Sequence, residues 1–164
     1  MAHPLIGPIE ALAEVLRGGR ALVGLDLGTK TIGVAVSDRL GLTATALTTI
    51  ARTKFTADAN QLRATLESRL PGGLIIGLPL NMDGSEGPRC QSTRQFAENL
   101  APLLDLPIAF WDERWSTAAV TRRMIDADLT RAQRAKRVDG LAAEWILQGA
   151  LDRLSAHARA QGTR

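Results

Sequence analysis

Two apolar runs joined by a three-residue turn limit what this chain can fold into. Ala21-Leu22-Val23-Gly24-Leu25-Asp26-Leu27 reads as a buried strand, and Thr31-Ile32-Gly33-Val34-Ala35-Val36-Ser37-Asp38 as a second one. Gly28-Thr29-Lys30 turns the second back onto the first. The first run carries a carboxylate, Asp26. Ionised and alone in an apolar setting it would cost several kcal/mol or be forced to hold its proton, so a positive or hydrogen-bonding group has to face it. An acid on such a strand, beside a glycine-containing hairpin, points to a metal or phosphate site.

The rest of the chain supplies the layers around these strands. Thr43 to Ile50 has strand character, so three consecutive strands on short connections form an antiparallel meander. Phe55 to Leu70 shows helical spacing, with Phe55, Ala59, Leu62, Leu66 and Leu70 on one side, and Pro71-Gly72 is expected to stop it. Strands and helices then alternate: a strand over Gly73 to Leu78, a helix from about Pro88 to Leu104, and a strand over Pro107 to Trp111. A helix over Thr117 to Ala127 follows, capped by Ser116, and after a polar connection a last helix runs from about Val138 past Leu154. This order predicts an α/β fold, a mixed sheet with three antiparallel strands and helices on both faces. Ahead of it, Pro8 to Arg17 reads as a short amphipathic helix ended by Gly18-Gly19. The expected organisation is therefore a helical extension over 1–19, one domain over 20–155 and a flexible tail over 156–164.

Size and composition narrow the setting. A chain of 164 residues is enough for one domain with a sizeable core. Cys90 is its only cysteine, which excludes an intramolecular disulfide and points to a reducing compartment. No apolar run approaches the roughly 20 residues that cross a bilayer, and the start of the chain, with His3, Pro4 and Glu10, lacks the pattern of a signal peptide. The expectation is a cytoplasmic protein with no membrane partner. A net charge of +3 and a pI of about 9.7 permit nucleic acid without requiring it. Between positions 122 and 137, Arg122, Arg123, Arg131, Arg134, Lys136 and Arg137 stand against only Asp126 and Asp128, so six minus two gives +4. A solvated helix face and loop is the competing reading of that stretch.

Two further acids deserve the same question as Asp26. Asp112-Glu113-Arg114 ends the strand Pro107 to Trp111, and alternation lets only one of the two acids share a face with a given site. Ile108 and Phe110 align with Asp112, Ala109 and Trp111 with Glu113, and alternation leaves the choice open. Asp139 precedes Ala142, Ala143 and Ile146 by three, four and seven residues, so it stands over a small apolar stripe that should face the sheet. Helix-dipole chemistry at a first turn is the competing account of this Asp. Carboxylates converging where strand ends meet a helix repel one another unless a divalent cation lies among them. Mg²⁺ or Mn²⁺ fits, two ions rather than one, because the donors are hard oxygens and no His or Cys is near. Asp112 and Asp38 are candidates for a fourth ligand. The loop from Gly77 to Pro88 leads from a strand into a helix, so its amides, Asn81, Ser85 and Arg89 could bind phosphate, although an ordinary capped turn explains it equally well.

Taken in order, these segments resemble the YqgF family, also called RuvX or the pre-16S rRNA nuclease family, in the ribonuclease H-like superfamily. The resemblance spans Leu22 to about Leu154. It rests on Gly24-Leu25-Asp26-Leu27-Gly28-Thr29-Lys30 with Ile32 to Asp38, on Gly77-Leu78-Pro79 with Asn81 to Ser85, on Asp112-Glu113-Arg114, and on Val138-Asp139 with Ala142-Ala143 and Ile146-Leu147-Gln148. Thr31 and Trp115-Ser116 depart from its usual pattern. The resemblance implies a ribonuclease H-like three-layer fold and a metal-dependent nuclease whose catalytic, metal-binding acids fall on Asp26, Glu113 and Asp139. It thereby selects Glu113 over Asp112. The implied substrate is structured RNA at the 5′ end of pre-16S rRNA, or branched DNA such as a four-way junction. Phosphates would be engaged by Lys30 and Arg114, by Asn81, Ser85 and Arg89, and by Arg122, Arg123, Arg134, Lys136 and Arg137. A weakly catalytic nucleic-acid-binding factor in transcription or ribosome assembly is the alternative. Asp26 to Lys30 also resembles the first phosphate loop of actin and sugar kinases, but this chain has room for only one of the two domains those folds close around a nucleotide.

Overall fold

The computed structural model describes residues 4–115 and 131–162. Strands β1 (Ala21–Leu27), β2 (Thr31–Ser37) and β3 (Ala44–Ala51) form the expected antiparallel meander. β4 (Pro71–Leu78) pairs parallel with β1 on its other side, and β5 (Ile108–Asp112) pairs parallel with β4, giving the order β3-β2-β1-β4-β5. This is the ribonuclease H-like arrangement that the resemblance implies. β1 is central and paired along both edges, which is why its sequence is apolar throughout instead of alternating.

Alternation along the strands sorts the side chains into two cores. Val23, Leu25 and Leu27 face α2 (Phe55–Leu66) and α3 (Pro88–Leu104), where Leu62, Leu66 and Leu100 meet them. Leu22, Ile75 and Ala109 face the other way, onto α4 (Arg131–Ala160), through Ala143, Ile146 and Leu147. Each fully buried Leu or Ile contributes about 1.5–3 kcal/mol, so both helical layers are held by the sheet. α4 lies close because Gly24 has no side chain: a β-carbon there would meet Leu147 Cβ at 2.7 Å and the Ala143 carbonyl oxygen at 2.9 Å. Further along α4, Leu151 and Leu154 border the same groove as Gly41 and Leu42 of the β2–β3 connection, at the opposite end of the sheet. The helix therefore runs antiparallel to β1. It also guards the β3 edge, where Gln148 Oε1 accepts from the Ala44 amide at 2.9 Å and Glu144 Oε1 from the Ala46 amide at 3.1 Å.

Several expectations change. α2 stops at Leu66, a 3-10 turn covers Glu67–Arg69, and Leu70 adopts the left-handed region (φ 49°) with 51 % of its surface exposed. Leu70 is thus off the buried side, and Pro71-Gly72, expected to be a stop, already belong to β4, where a proline is tolerated as the first residue. The N-terminal segment is a 3-10 turn over Ile9–Leu12 followed by α1 (Ala13–Arg17). It packs into the domain: Leu12 is 1 % exposed in the α4-side core, the Gly7 amide donates to the Ile108 carbonyl, and the Ile108 amide to the Leu5 carbonyl. α4 begins at Arg131, seven residues before Val138, and continues to Ala160, into the segment expected as a tail. Ser116 and the helix expected over Thr117 to Ala127 lie outside the described residues. No helix among the described residues is long and apolar enough to cross a membrane.

Candidate active site

Asp26 lies two residues after Gly24 on β1, on the face that meets α4, and is half-buried. Its partner on β2 is Gly33. Continuing the β1–β4 register one step beyond Leu25 and Ile76 brings Gly77 alongside it on β4. Gly24, Gly33 and Gly77 thus surround the carboxylate on its own face, so it stands over bare backbone instead of among aliphatic side chains. That is how a buried strand accommodates an acid.

Glu113 opens a 3-10 turn (Glu113–Trp115) directly after β5. Its carboxylate reaches over β4: a β-carbon on Gly77 would lie 2.9 Å from Glu113 Oε1 and 2.6 Å from Ile146 Cδ1. Glu113 therefore shares the α4 face with Ala109 and Trp111, the branch of the alternation left open by the sequence. Asp112 has other work. Its carboxylate accepts from Arg114 Nη2 at 2.9 Å and from the Arg114 amide at 3.0 Å. Burial alone would raise the Asp112 carboxyl, but the Arg114 hydrogen bonds and charge outweigh it and hold the group below the ordinary carboxylate value. Asp38 is also occupied, accepting from the Leu42 and Thr43 amides at 2.7 and 3.1 Å to close the β2–β3 connection. That is five residues past Gly33, about 17 Å along the strand from Asp26. Both acids, named as candidates for a fourth ligand, thus have hydrogen-bond partners of their own.

Asp139 is the ninth residue of α4, one helical turn before Ala143. Because Ala143 lies over Gly24 and α4 runs antiparallel to β1, the turn bearing Asp139 is about 6 Å further toward the end of β1 that carries Asp26. A helix dipole acts mainly within the first turn, so it does not account for this residue in the helix observed. Here, as for Arg134, Lys136 and Arg137 on the preceding turns, the description extends to the helix backbone. Arg122 and Arg123 lie outside the described residues. Among the described residues no three His, Cys, Asp or Glu side chains converge to hold a metal ion. Asp26 and Glu113 are the two acids brought to one place.

The loop between β4 and α3 uses most of its polar groups on itself. Asn81 Nδ2 donates to Ser85 Oγ (2.9 Å), and Ser85 donates to Asp83 Oδ1 through both its hydroxyl (2.6 Å) and its amide (2.9 Å). Those bonds from Ser85 hold the Asp83 carboxyl below its ordinary value, which leaves a negative charge in the middle of the expected phosphate loop. Arg114 Nη1 donates to the Met82 carbonyl at 3.2 Å, fastening this loop to the end of β5. Lys30 is exposed at the tip of the β1–β2 turn, and Arg89 Nη2 reaches the Leu27 carbonyl at 3.5 Å. Arg52, absent from the sequence reading, donates from Nη1 to the Gly28 carbonyl at 2.6 Å. The sequence did hold a signal for the glycines: Gly24 stands two residues before Asp26, hence on its face.

A protein of Ruegeria sp. (strain TM1040), described as "Putative pre-16S rRNA nuclease", is 59% identical over 145 residues, 88% of this chain and 92% of that one. One of Rhodopseudomonas palustris (strain BisB5) with the same description is 59% identical over 160 residues, covering 98% and 99%. Among solved structures, the Thermus thermophilus RuvC in complex with a Holliday junction substrate aligns with a TM-score of 0.49 and 16% identity, over 88% of this chain and 97% of that one. The family model described as "RuvX: Holliday junction resolvase" matches residues 20–153, from just before β1 to near the end of α4, and the chain belongs to that family.

Proposed function

We propose that this chain is a metal-dependent nuclease that hydrolyses phosphodiester bonds at the 5′ end of a 16S ribosomal RNA precursor in the cytoplasm. The observation that carries the proposal is the meeting of Asp26 and Glu113 across Gly77, in a chain of this family, with Asp139 on the adjoining turns of α4. The donor set fits a hard divalent cation: carboxylate oxygens over open backbone, in a space that one β-carbon would fill, with the buried Cys90 away on α3. Asp26, Glu113 and Asp139 would hold one or two Mg²⁺ or Mn²⁺ ions. Such ions, when bound, activate a water and stabilise the leaving oxygen of a phosphodiester.

The remaining work falls to the chain itself. Lys30, exposed four residues after Asp26, contacts the substrate backbone, and the basic first turns of α4 attract and orient it. Arg114 acts at one remove, pinning the 79–87 loop beside the site. The test is cleavage of a precursor spanning the 5′ end of 16S rRNA by the purified protein with Mg²⁺ or Mn²⁺, with product ends sequenced. Asp26→Asn should abolish cleavage without changing the melting temperature, and equal activity in that variant sinks the assignment. The family model's own description favours a second reading, so a four-way DNA junction forms the other arm. Faster cutting of the junction than of the RNA would move the substrate to DNA.

A further inference from the structure

We propose that a small cavity on the opposite side of β1 from the acids binds one phosphodiester group of the substrate strand. The cavity, of about 70 Å³, is lined by Gly28, Thr29, Arg52, Arg89, Ser92 and Thr93, where the β1–β2 turn and the end of β3 meet the first turns of α3. Two guanidinium groups border it. Arg52 spends one donor on the Gly28 carbonyl and lies 5.6 Å from the centroid of the Phe96 ring, while Arg89 makes only the long contact to the Leu27 carbonyl. Among the described residues neither meets a carboxylate, whereas Arg17, Arg94, Arg114 and Arg153 are each in an ion pair. A guanidinium has five donors, so most of each fork remains for a ligand.

A second observation points the same way. Thr93 is 4 % exposed, lines the cavity and makes no side-chain hydrogen bond among the described residues. Trp111 Nε1 is the one sealed side-chain polar atom without a partner among the described residues, so the Thr93 hydroxyl is open to solvent, and an anion in the cavity would accept from it. The lining carries two positive charges, three hydroxyls and no acid, which matches a group rich in acceptors. Its volume is well above the roughly 10–15 Å³ that admits one water, so it has room for a small anion. Its position selects a strand over a free ion. The lining begins at Leu27, one residue after Asp26, and the exposed turn Thr29-Lys30 lies beside both places, so a strand crossing the acids passes within reach of the cavity. That the ligand is a nucleic-acid strand rests on the nuclease reading; the anion chemistry does not.

Binding can be tested with no cleavage, using the full-length Asp26→Asn protein in EDTA and a short single-stranded RNA. The RNA should shift the amide resonances of Gly28, Thr29, Ser92 and Thr93. The Arg52→Gln/Arg89→Gln variant should bind roughly 10- to 100-fold more weakly, the worth of charged hydrogen bonds. Its log-affinity against log-salt slope should be shallower by about 0.7, the loss of one phosphate contact on a single strand. Arg89→Gln alone, at an exposed side chain, and the near-isosteric Thr93→Val carry the same test should the double variant unfold. Unchanged affinity and slope in folded variants would overturn the proposal, as would shifts produced by inorganic phosphate but not by RNA. A protein that binds in this way yet cuts neither RNA nor junction sinks the nuclease reading and leaves the pocket. One that cuts in an Asp26-dependent way with an unchanged slope does the reverse.

Discussion

Gly77→Ala should damage the chemistry more than the fold. The new methyl would begin 2.6 Å from Ile146 Cδ1 and 2.9 Å from Glu113 Oε1. Both are far ends of flexible side chains, so stability should fall by only about 1 kcal/mol, the low end of overpacking costs. For a chain of this size that lowers Tm by about 2–4 °C. Glu113, however, cannot give way without consequence. To regain ordinary contact at 3.4–4 Å its carboxylate must retreat by about 0.5–1 Å, and a misplacement of an ångström costs on the order of 100-fold in rate. The expected loss in kcat is therefore about 10- to 100-fold. Gly24→Ala is the control. There the β-carbon would meet Leu147 Cβ at 2.7 Å and the Ala143 backbone oxygen at 2.9 Å, groups that cannot rotate aside, so α4 must move bodily. A cost of about 2–3 kcal/mol, or roughly 4–12 °C in Tm, is expected. Thermal unfolding by circular dichroism and initial cleavage rates at saturating Mg²⁺ measure both effects. A wild-type rate in folded Gly77→Ala would refute the placement of Glu113 over Gly77, and so would rate losses in the two variants that simply track their losses of stability.

Three further outcomes follow from the packing and the ion pairs. Leu12→Ala should cost about 2–5 kcal/mol, because Leu12 is fully buried against the α4-side core; an unchanged melting temperature would show that the first 19 residues are dispensable to the fold. Gln148→Ala removes the acceptor for the Ala44 amide, so stability should drop by about 1 kcal/mol and that amide should exchange faster with solvent, a change hydrogen exchange reads directly. Asp112 has a folded pKa below its ordinary 3.8, so its contribution is fully present above that value and is lost as pH falls through the lower, folded one. Melting curves between about pH 5 and 2 should thus decline less steeply for Asp112→Asn than for wild type, and identical slopes would remove Arg114 as the cause.

The strands and the acid-bearing positions were legible because burial writes itself into sequence. The runs at 21–27 and 31–37 are apolar without alternation since both faces of β1 and β2 are covered, and α3 runs from Pro88 to Leu104 as its proline start and spacing imply. The choice between Asp112 and Glu113 was not legible from alternation, because it depends on which helix covers which face. The start of α4 was misplaced for a related reason. Arg131 to Arg137 is charged and carries no apolar stripe, so periodicity begins only where the helix reaches the sheet, near Ala142. The glycines and small polar residues around Asn81 and Ser85 suit a phosphate cradle and turn closure equally well, so the bonds of Ser85 to Asp83 were not legible in the sequence.

The same alternation explains why the two proposed functions of the β1 end do not interfere. Asp26 faces α4 and Leu27 faces α2 and α3, so consecutive residues open onto different layers: carboxylates over glycine backbone on one side, an arginine-bordered cavity on the other. A one-residue slip of β1 would exchange them, driving Asp26 into the core built by Leu62, Leu66 and Leu100 and setting Leu27 over Gly77. β1 is held against that slip on both edges, antiparallel to β2 from Val23 to Leu27 and parallel to β4 from Ala21 to Leu25. Pairing on both edges therefore fixes which face Asp26 occupies before any ligand or substrate arrives.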